Sequence, residues 1–352
     1  MNTALPVRMS LVALTLAVAA CGGGGGSPSD NPPPPAPPPP SDPKALAAAQ
    51  TVQNNPACTA LTPFYWEIGN ATAKLAEGTG GSAASGAPAE TDLILIASSS
   101  KWLYSSFVVE KRRSSGAALS PTDDVPFLNF TSGYTNFGIP ACPGAGDTID
   151  QCLTALNRIG GATGIPKGTF SSENVGKFYY DGGHMEKHAS NFGIGSYTGA
   201  ALGTAVSQQL GINIRYADAQ PAGSGQTSAA EYAKFLRKVL SGSLGITALL
   251  GTNPVCTWHN AYSQACEAVN SPTDGTNLHW HYSLGHWVED DDPSNLAYSS
   301  AGAFGFYPWV SADLKLYGII ARESVGSGEQ QGFQSAQCGR LVRLAYKTGV
   351  AQ

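Results

Sequence analysis

Ser98 and Lys101 stand three residues apart in a serine-rich stretch that follows a short apolar run, residues 93–96. Apolar side chains recur with helical spacing over residues 98–110, so we expect a helix that begins near Ser98. Residues i and i+3 share one face of a helix, which lets the two side chains meet. A lysine whose pKa is lowered by burial can take the proton of a serine hydroxyl and make it nucleophilic. The spacing alone is common in serine-rich chains, so the surrounding segments decide its meaning.

Five later segments carry polar and glycine-rich motifs in a defined order. They are residues 119–124, 127–134, 178–183, 220–225 and 300–306. Together with residues 97–102, and in this order, they resemble the motifs of serine β-lactamases, penicillin-binding proteins and their esterase relatives. The second segment has Phe130 where that family usually has a His. The resemblance extends over residues 60–345.

This resemblance implies an α/β (α+β) fold of the β-lactamase type, an antiparallel sheet flanked by helices with a largely helical second subdomain inserted. We expect the serine hydrolase domain to span residues 49–352. In this division residues 49–110 and 283–352 form the α/β part, and residues 111–282 form the mostly helical part. No cofactor is expected.

Carried over by position, the resemblance also assigns roles in the site. It implies that Ser98 is the acylated nucleophile and that Lys101 is its proton partner. Tyr179 is the implied general base or acid for the leaving group. Asp181 stands where an Asn or Ser usually orients the lysine and the substrate. The backbone N–H groups of Ser98 and Ala303 are the implied oxyanion hole.

Two departures from the family pattern bear on the substrate. Asp181 brings a negative charge that would hold Lys101 protonated and leave more of the proton transfer to Tyr179. In the third motif, Ser300 stands two residues before Gly302, where a Lys or His is usual. The substitution removes a cation that commonly binds a substrate carboxylate.

We therefore expect hydrolysis through an acyl-enzyme on Ser98, with a small or oligomeric neutral ester as substrate. An amide or D-peptide hydrolase, of the 6-aminohexanoate-oligomer, D-aminopeptidase or β-lactamase type, remains an open alternative. The other open alternative is a non-catalytic binding lipoprotein with the same fold. The presence of Ser98, Lys101 and Tyr179 together counts against this binding lipoprotein.

Five of the histidines are candidates for binding a metal ion or for lining a cleft. His184 and His188 lie four residues apart on a predicted helix, but the Glu between them is misplaced for either zinc-protease motif. His279, His281 and His286 could line a cleft mouth, although hydrogen-bonded structural histidines are the favoured interpretation. No metal is expected.

Six cysteines follow Cys21, and in an exported domain six cysteines predict three disulfides. Fifteen pairings are formally possible. Two ten-residue spacings favour two local bridges, which leaves one bridge between the ends of the domain. The expected pairs are Cys142–Cys152, Cys256–Cys266 and Cys58–Cys338.

The beginning of the chain predicts export. Arg8 precedes an apolar stretch too short to span a bilayer, and the sequence Val-Ala-Ala before Cys21 resembles the lipobox of bacterial lipoproteins. Residues 1–20 are the predicted lipoprotein signal peptide. Residues 21–48 are the predicted lipidated Cys and Gly/Pro-rich linker. We expect a membrane-anchored lipoprotein that faces the periplasm or the cell exterior.

Charged residues make up 13% of the chain, and the net charge is -5. This composition gives no basic surface for nucleic acid, so a small-molecule or oligomeric ester or amide is the expected partner, beside the membrane.

Local patterns predict the elements that must position the site. A β-hairpin is expected over residues 64–76, helices over 185–210 and 228–241, strands over 283–289, 304–310 and 316–322, and a last helix over 335–346.

Overall fold

The computed structural model describes residues 42–82, 86–138, 142, 144, 146–158, 162–258, 266–274, 276–325 and 330–352. The predicted signal peptide, the predicted lipidation site Cys21 and most of the predicted linker lie outside these residues. Among the helices of this described part, none is long and apolar enough to cross a bilayer.

The strands of the described part form two sheets. The larger has eight strands in the order β2-β1-β11-β10-β9-β8-β7-β6, and the smaller has the order β3-β5-β4. Every pairing between these strands is antiparallel, which confirms the predicted antiparallel sheet. The strands are β1 Phe64–Gly69, β2 Lys74–Gly80, β3 Ile94–Leu95, β4 Arg215–Tyr216, β5 Gly225–Thr227, β6 Val255–Cys256, β7 His281–Ser283, β8 His286–Glu289, β9 Ala297–Ser299, β10 Tyr307–Ser311 and β11 Tyr317–Ala321.

Helices flank the larger sheet on both faces. The side chain of Tyr317 on β11 bonds Arg237 of α8, whereas Ile320 on the same strand lies against Gly339 of α9. Odd and even residues of a strand face opposite sides of its sheet, so α8 and α9 cover opposite faces. The helices are α1 Pro43–Asn54, α2 Pro56–Thr59, α3 Ser100–Ser114, α4 Val125–Leu128, α5 Ile149–Thr154, α6 Gly183–Ala189, α7 Gly199–Leu210, α8 Ala229–Leu240 and α9 Gln330–Thr348.

The folded unit begins earlier than the predicted boundary at residue 49. Asp42 caps α1 by accepting a hydrogen bond from the backbone N–H of Lys44 at 3.0 Å, and Pro43 occupies the first helical position. Ala45 and Ala48 of α1 are fully buried. An alanine-rich stretch directly after a proline run looks like linker by composition, yet its small side chains let α1 pack closely on α9.

The predicted strand over residues 283–289 is confirmed for residues 286–289, which form β8, and is interrupted before them by a turn. Strands β7 and β8 form a hairpin in which Leu284 and Gly285 are the two loop residues. Both have positive φ angles, 41° and 80°, as a two-residue hairpin turn requires. Leucine is not a typical turn residue, so the sequence pattern predicts a strand that continues through Leu284.

The predicted helix over residues 185–210 is also interrupted. Helix α6 ends at Ala189, residues 190–194 form a π-helical turn, and α7 begins only at Gly199. Gly193 has φ 85°, outside the helical region. Thr198 then caps α7 by accepting from the N–H of Ala201 at 3.3 Å. The positive φ of Gly193 breaks the helical path within the π-helical turn, and the threonine cap starts α7.

The three expected cysteine pairs are joined in the structure. Two bridges close local loops, and the third ties α2 to α9 across a sequence separation of 280 residues. The pairs are Cys58–Cys338, Cys142–Cys152 and Cys256–Cys266.

Candidate active site

Ser98 lies in a tight turn between strand β3 and helix α3. The turn is a 3-10 helix, Ala97–Ser99, that runs directly into α3. Ala97 has φ 43°, a left-handed backbone conformation that residues with a Cβ rarely adopt. Such strain persists only when the surrounding structure imposes it, and it is concentrated at functional sites. Ser98 itself is partly exposed, while Ala97 and Ser99 on either side are buried.

Lys101 lies one helical turn beyond Ser98 and reaches back to it. Its Nζ is 2.8 Å from Ser98 Oγ, and an N–H also donates to the carbonyl oxygen of Ala222 at 2.8 Å. The side chain is 5% exposed, and Nζ lies 4.7 Å from the centre of the Tyr180 ring. When the ammonium loses its proton, the amine lone pair can accept from the Ser98 hydroxyl over the same distance. The structure therefore brings the predicted nucleophile and its predicted base together.

Tyr180, rather than the predicted Tyr179, shares a cavity with Ser98. The backbone N–H of Tyr179 donates to the carbonyl of Phe130 at 3.0 Å, and the N–H of Tyr180 donates to Asn270 at 2.9 Å on the other side. Neighbouring residues of such an extended segment project their side chains in opposite directions. Burial, together with the charge of Asp181, raises the pKa of Tyr179.

Asp181 is held by backbone N–H groups. Its Oδ1 accepts from Gly183 at 2.7 Å and from Phe137 at 3.1 Å. Burial raises the pKa of Asp181, and these bonds and the charges of Lys101 and Lys167 lower it in part. Asp181 thus lies within electrostatic range of Lys101, and its described hydrogen bonds hold the turn that leads into α6.

The third motif follows strand β9 and lies against the nucleophile turn. The hydroxyl of Ser300 donates to the carbonyl oxygen of Ser98 at 3.2 Å. Gly302 comes so close to Ile96 that a Cβ on it would lie 2.2 Å from the Ile96 carbonyl oxygen, so only glycine fits. The next residue, Ala303, lines the cavity at Ser98. Ser98 and Ala303 therefore line one cavity, and their role as the oxyanion hole stays a prediction.

The cavity at Ser98 is small and carries no charge on its described lining. Its volume is about 10 Å³, close to the room that one water molecule needs. The described residues that line it are Ser98, Tyr180, Pro272, Ala301, Ala303 and Phe333.

Solved structures similar to this chain share its architecture. A D-amino acid amidase from Ochrobactrum anthropi SV3 is 12% identical with a TM-score of 0.57, and the match covers 85% of this chain and 99% of that one. A penicillin-binding protein homologue from Caulobacter crescentus is 13% identical, with a TM-score of 0.55 and coverage of 88% and 98%. A D-stereospecific amidohydrolase from a Streptomyces species is 15% identical, with a TM-score of 0.52 and coverage of 83% and 98%. This chain has the serine β-lactamase fold.

No protein-family model and no curated protein sequence matches the chain. The similarity of architecture establishes the β-lactamase fold, so the roles of individual residues depend on the geometry around Ser98.

The paired histidines are structural parts of this β-lactamase-type fold. His184 bonds the hydroxyl of Ser132 at 2.7 Å and the carbonyl of Tyr179 at 3.0 Å, and burial lowers its pKa to about 3. His188 bonds Tyr104 at 2.7 Å and Asp124 at 2.9 Å. Both nitrogen atoms of each ring are hydrogen-bonded to protein groups. Among the described residues, no group of three or more His, Cys, Asp or Glu side chains is placed to hold a metal ion.

The remaining candidate histidines lie away from the described lining of the cavity. His286 is buried, stacks on Trp102 at 5.6 Å, and has its pKa lowered to about 3 by burial. His281 bonds Asp290 at 2.6 Å, and His279 contacts the ring of Trp258. These contacts support the structural interpretation of the three residues.

Glu186 is a buried acid that the sequence patterns did not single out. Its side chain is fully buried on α6, and neither carboxyl oxygen has a hydrogen-bond partner among the described residues. Burial raises the pKa of Glu186 well above its usual range. Burial thus disfavours the charged form of this carboxyl group, and the charges of Lys101 and Lys167 offset the effect in part.

Proposed function

We propose that the protein is a serine hydrolase that cleaves neutral esters through an acyl-enzyme on Ser98. The observation that carries this proposal is the 2.8 Å contact between Ser98 Oγ and the buried Lys101 Nζ. It is supported by the strained turn at Ala97 and by the uncharged lining of the cavity.

The first half-reaction would form the acyl-enzyme. Lys101, as the free amine, takes the hydroxyl proton while Ser98 Oγ bonds the ester carbonyl carbon. The negative charge on the former carbonyl oxygen is stabilised by the N–H groups of Ser98 and Ala303, an arrangement that typically lowers the barrier by about 3 kcal/mol per donor. The carbon–oxygen bond to the alcohol then breaks. The departing alkoxide takes the proton from the Lys101 ammonium, with the Tyr180 hydroxyl as an intermediary.

The second half-reaction would restore Ser98. The Lys101 amine accepts a proton from a water molecule, whose oxygen attacks the acyl carbon. Collapse of the second tetrahedral species breaks the bond to Ser98 Oγ, and the proton returns from Lys101 to the serine. The products are a carboxylic acid and an alcohol.

The electrostatics of the cleft favour a neutral substrate. Burying an anionic group without a partner is costly, and no described residue of the cavity lining is charged. Arg322 cannot supply the missing cation, because it is 1% exposed and its guanidinium donates to Ser335, Thr62 and Gln331. Burial lowers the pKa of Arg322 to about 10, so the guanidinium stays charged near pH 7. Its N–H groups are already hydrogen-bonded within the protein.

Amide hydrolysis is the second candidate. It is favoured by two of the similar structures, which are a D-amino acid amidase and a D-stereospecific amidohydrolase. A lysine-activated serine can attack either carbonyl, so the leaving group decides between the two reactions. Direct comparison of an ester with an amide of the same acyl group separates them.

A fluorophosphonate probe tests the proposal. We expect the probe to label Ser98, located by peptide mapping, because only an activated serine hydroxyl attacks its phosphorus. Ser98→Ala should abolish labelling and ester turnover together, while Ser115→Ala should keep both, since Ser115 is exposed at the far end of α3, away from the nucleophile turn. Substantial turnover in Ser98→Ala would contradict the mechanism. A wild-type protein that neither labels nor turns over would favour the binding lipoprotein.

We also propose that the protein is exported and membrane-anchored through a lipid on Cys21. The sequence before Cys21 and the three disulfides of the folded unit support this location, because such bridges persist in oxidising compartments.

A further inference from the structure

Ser100 follows the nucleophile by two residues, and its hydroxyl is hydrogen-bonded on both sides. Its Oγ donates to the carbonyl oxygen of Ala97 at 2.6 Å and accepts from the backbone N–H of Gly225 on β5 at 3.1 Å. The carbonyl oxygen of the same Gly225 accepts from the N–H of Ile96 at 3.0 Å. Strand β5 is therefore bonded to the chain just before Ala97 directly, and to Ala97 itself through the Ser100 hydroxyl.

The packing around this hydroxyl is tight. Ser100 is fully buried, and a Cβ on Gly225 would lie 2.4 Å from Ser100 Oγ, so the strand approaches the hydroxyl as closely as glycine permits. Ala97 has φ 43°, a conformation that persists only where neighbouring groups impose it. The hydroxyl of Ser100 is thus one of the groups that hold Ala97 in its strained conformation.

The carbonyl that Ser100 holds belongs to the same peptide group as the backbone N–H of Ser98. A trans peptide group is planar, so its C=O and N–H point in opposite directions. Fixing the Ala97 carbonyl therefore fixes the direction of the Ser98 N–H, one of the two predicted oxyanion-hole donors. The backbone N–H of Ser100 also donates to this carbonyl, but only the hydroxyl connects the peptide group to β5.

The other predicted donor, the N–H of Ala303, is oriented in the same way. Its peptide group contains the carbonyl of Gly302, which accepts from the N–H of Gly305 at 2.8 Å. In this second peptide group the anchor is a backbone N–H. In the first, a side chain supplies the connection to β5, so a single substitution can remove it.

Two further hydroxyl groups bond the nucleophile turn, but they hold other peptide groups. Ser300 donates to the carbonyl of Ser98 at 3.2 Å, and Tyr232 donates to the carbonyl of Ser99 at 2.9 Å. These two peptide groups carry the N–H groups of Ser99 and Ser100, which are not predicted oxyanion donors. Of the three hydroxyls, the one on Ser100 bears on the N–H of the nucleophile.

We infer that Ser100 is a positioning residue whose hydroxyl directs the Ser98 N–H toward the oxyanion of both tetrahedral species. This inference rests on the proposed function, since it requires an acyl-enzyme on Ser98. Without the hydroxyl, the peptide group between Ala97 and Ser98 can rotate, and its N–H stabilises the negative charge less. An interaction made only in the transition state affects kcat and kcat/KM equally and leaves KM unchanged.

The test measures kcat and KM for p-nitrophenyl acetate with the wild type and Ser100→Ala. Complete removal of one oxyanion donor costs about 100- to 1,000-fold in kcat. We expect a misdirected donor to cost less, so Ser100→Ala should lower kcat by about 10- to 100-fold and keep KM within about twofold. If Ser100→Ala does not fold, Ser100→Cys, which fills the position with a weak donor, should show a smaller loss in the same direction.

Benzeneboronic acid gives a second measurement that does not depend on turnover. Ser98 Oγ bonds the boron, the hydroxyl proton passes to Lys101, and the adduct is a tetrahedral anion that resembles the species formed in the reaction. Transition-state analogues lose affinity when an interaction specific to the transition state is lost. The Kd of benzeneboronic acid should therefore rise in Ser100→Ala by about the same factor as kcat falls.

Ser106→Ala is the matched control. Ser106 is also a fully buried serine of α3, and its Oγ donates to the carbonyl of Trp102 at 2.8 Å. The variant loses the same atom and a similar hydrogen bond without touching the nucleophile turn. It should keep kcat and the Kd of benzeneboronic acid unchanged, and melting temperatures of both variants compare their losses of stability.

A kcat of Ser100→Ala within about threefold of the wild type would overturn the inference and leave the proposed function in place. An equal loss of kcat in Ser106→Ala would overturn it as well, because any buried hydroxyl of α3 would then have the same effect. So would a lowered kcat beside an unchanged Kd of benzeneboronic acid. Absence of both ester turnover and fluorophosphonate labelling in the wild type would instead overturn the proposed function, and the inference with it.

Discussion

The adjacent tyrosines show how much a single position matters at the residue scale. The motif predicts Tyr179 as the acid–base residue, but Tyr180 is the residue whose ring contacts Lys101 and which lines the Ser98 cavity. In an extended segment a shift of one residue exchanges the two faces, so the sequence pattern locates the segment without choosing the tyrosine. Only the opposite backbone hydrogen bonds, to Phe130 and to Asn270, distinguish them.

Removing each hydroxyl in turn tests this assignment. Tyr180→Phe should lower kcat/KM for a short-chain ester by about a hundredfold, the lower end of what a positioned acid–base group contributes. Tyr179→Phe should change it less than about threefold, because its side chain projects away from Ser98. Melting temperatures of both variants show whether either loses structure. A larger loss of kcat/KM in Tyr179→Phe than in Tyr180→Phe would instead support Tyr179 as the acid–base residue.

Ser300 is the residue that bears on charge selectivity. Its hydroxyl bonds the Ser98 backbone, at the position where the sequence resemblance implies a cation. We expect kcat/KM for a short-chain p-nitrophenyl ester to exceed that for a β-lactam or a D-alanyl-D-alanine peptide by at least about a hundredfold, or about 2.7 kcal/mol. Ser300→Lys should reduce this ratio of kcat/KM values between the ester and the anionic substrates, whereas Ser300→Ala, which adds no charge, should leave the ratio unchanged. Efficient β-lactam or D-peptide cleavage by the wild type would contradict the argument.

At the scale of elements, the sequence predicted what local patterns determine. The i, i+3 spacing on a helix correctly predicted the contact between Ser98 and Lys101. The β-favouring residues over 64–76, interrupted at Gly69 and Asn70, correctly predicted the β1–β2 hairpin. The helix predicted over residues 228–241 is α8, and Ser228 caps it by accepting from Glu231 N–H at 3.2 Å. Each of these features is encoded within a few residues, so no distant contact is needed to find it.

Elements that depend on distant contacts were missed. The turn at Leu284 has a positive φ although leucine disfavours it, and the N–H of Leu284 donates to the side chain of Asn129 at 2.6 Å from far along the chain. The first half of helix α1, up to residue 48, falls in the predicted linker because its partner, α9, lies at the other end of the chain. Phe333 gave no sequence signal either, since only the packing of α9 against Gly302 brings it to Ser98.

At the scale of the whole molecule, the ends of the folded unit are fastened together. Cys58–Cys338 joins α2 to α9, and the hydroxyl of Tyr346 bonds the Asp42 cap of α1 at 3.4 Å. The eight-stranded sheet also joins the two ends, since β1 near the start of the unit pairs with β11 near its end. This closure places α9, and with it Phe333, against the nucleophile turn.

The long-range bridge should therefore stabilise the protein more than a local one. In the chain-entropy account the stabilisation by a disulfide grows with the logarithm of the length of the loop it closes, and it is about 6 kcal/mol for a loop of this length and about 3 kcal/mol for a loop of ten residues. We expect Cys58→Ala with Cys338→Ala to lower the free energy of unfolding, measured in urea, by about 3 kcal/mol more than Cys142→Ala with Cys152→Ala. Alanine is the matched replacement in both pairs, because it leaves no buried hydroxyl without a partner. A larger loss from the Cys142–Cys152 pair would mean that native contacts, rather than chain entropy, dominate the effect of these bridges.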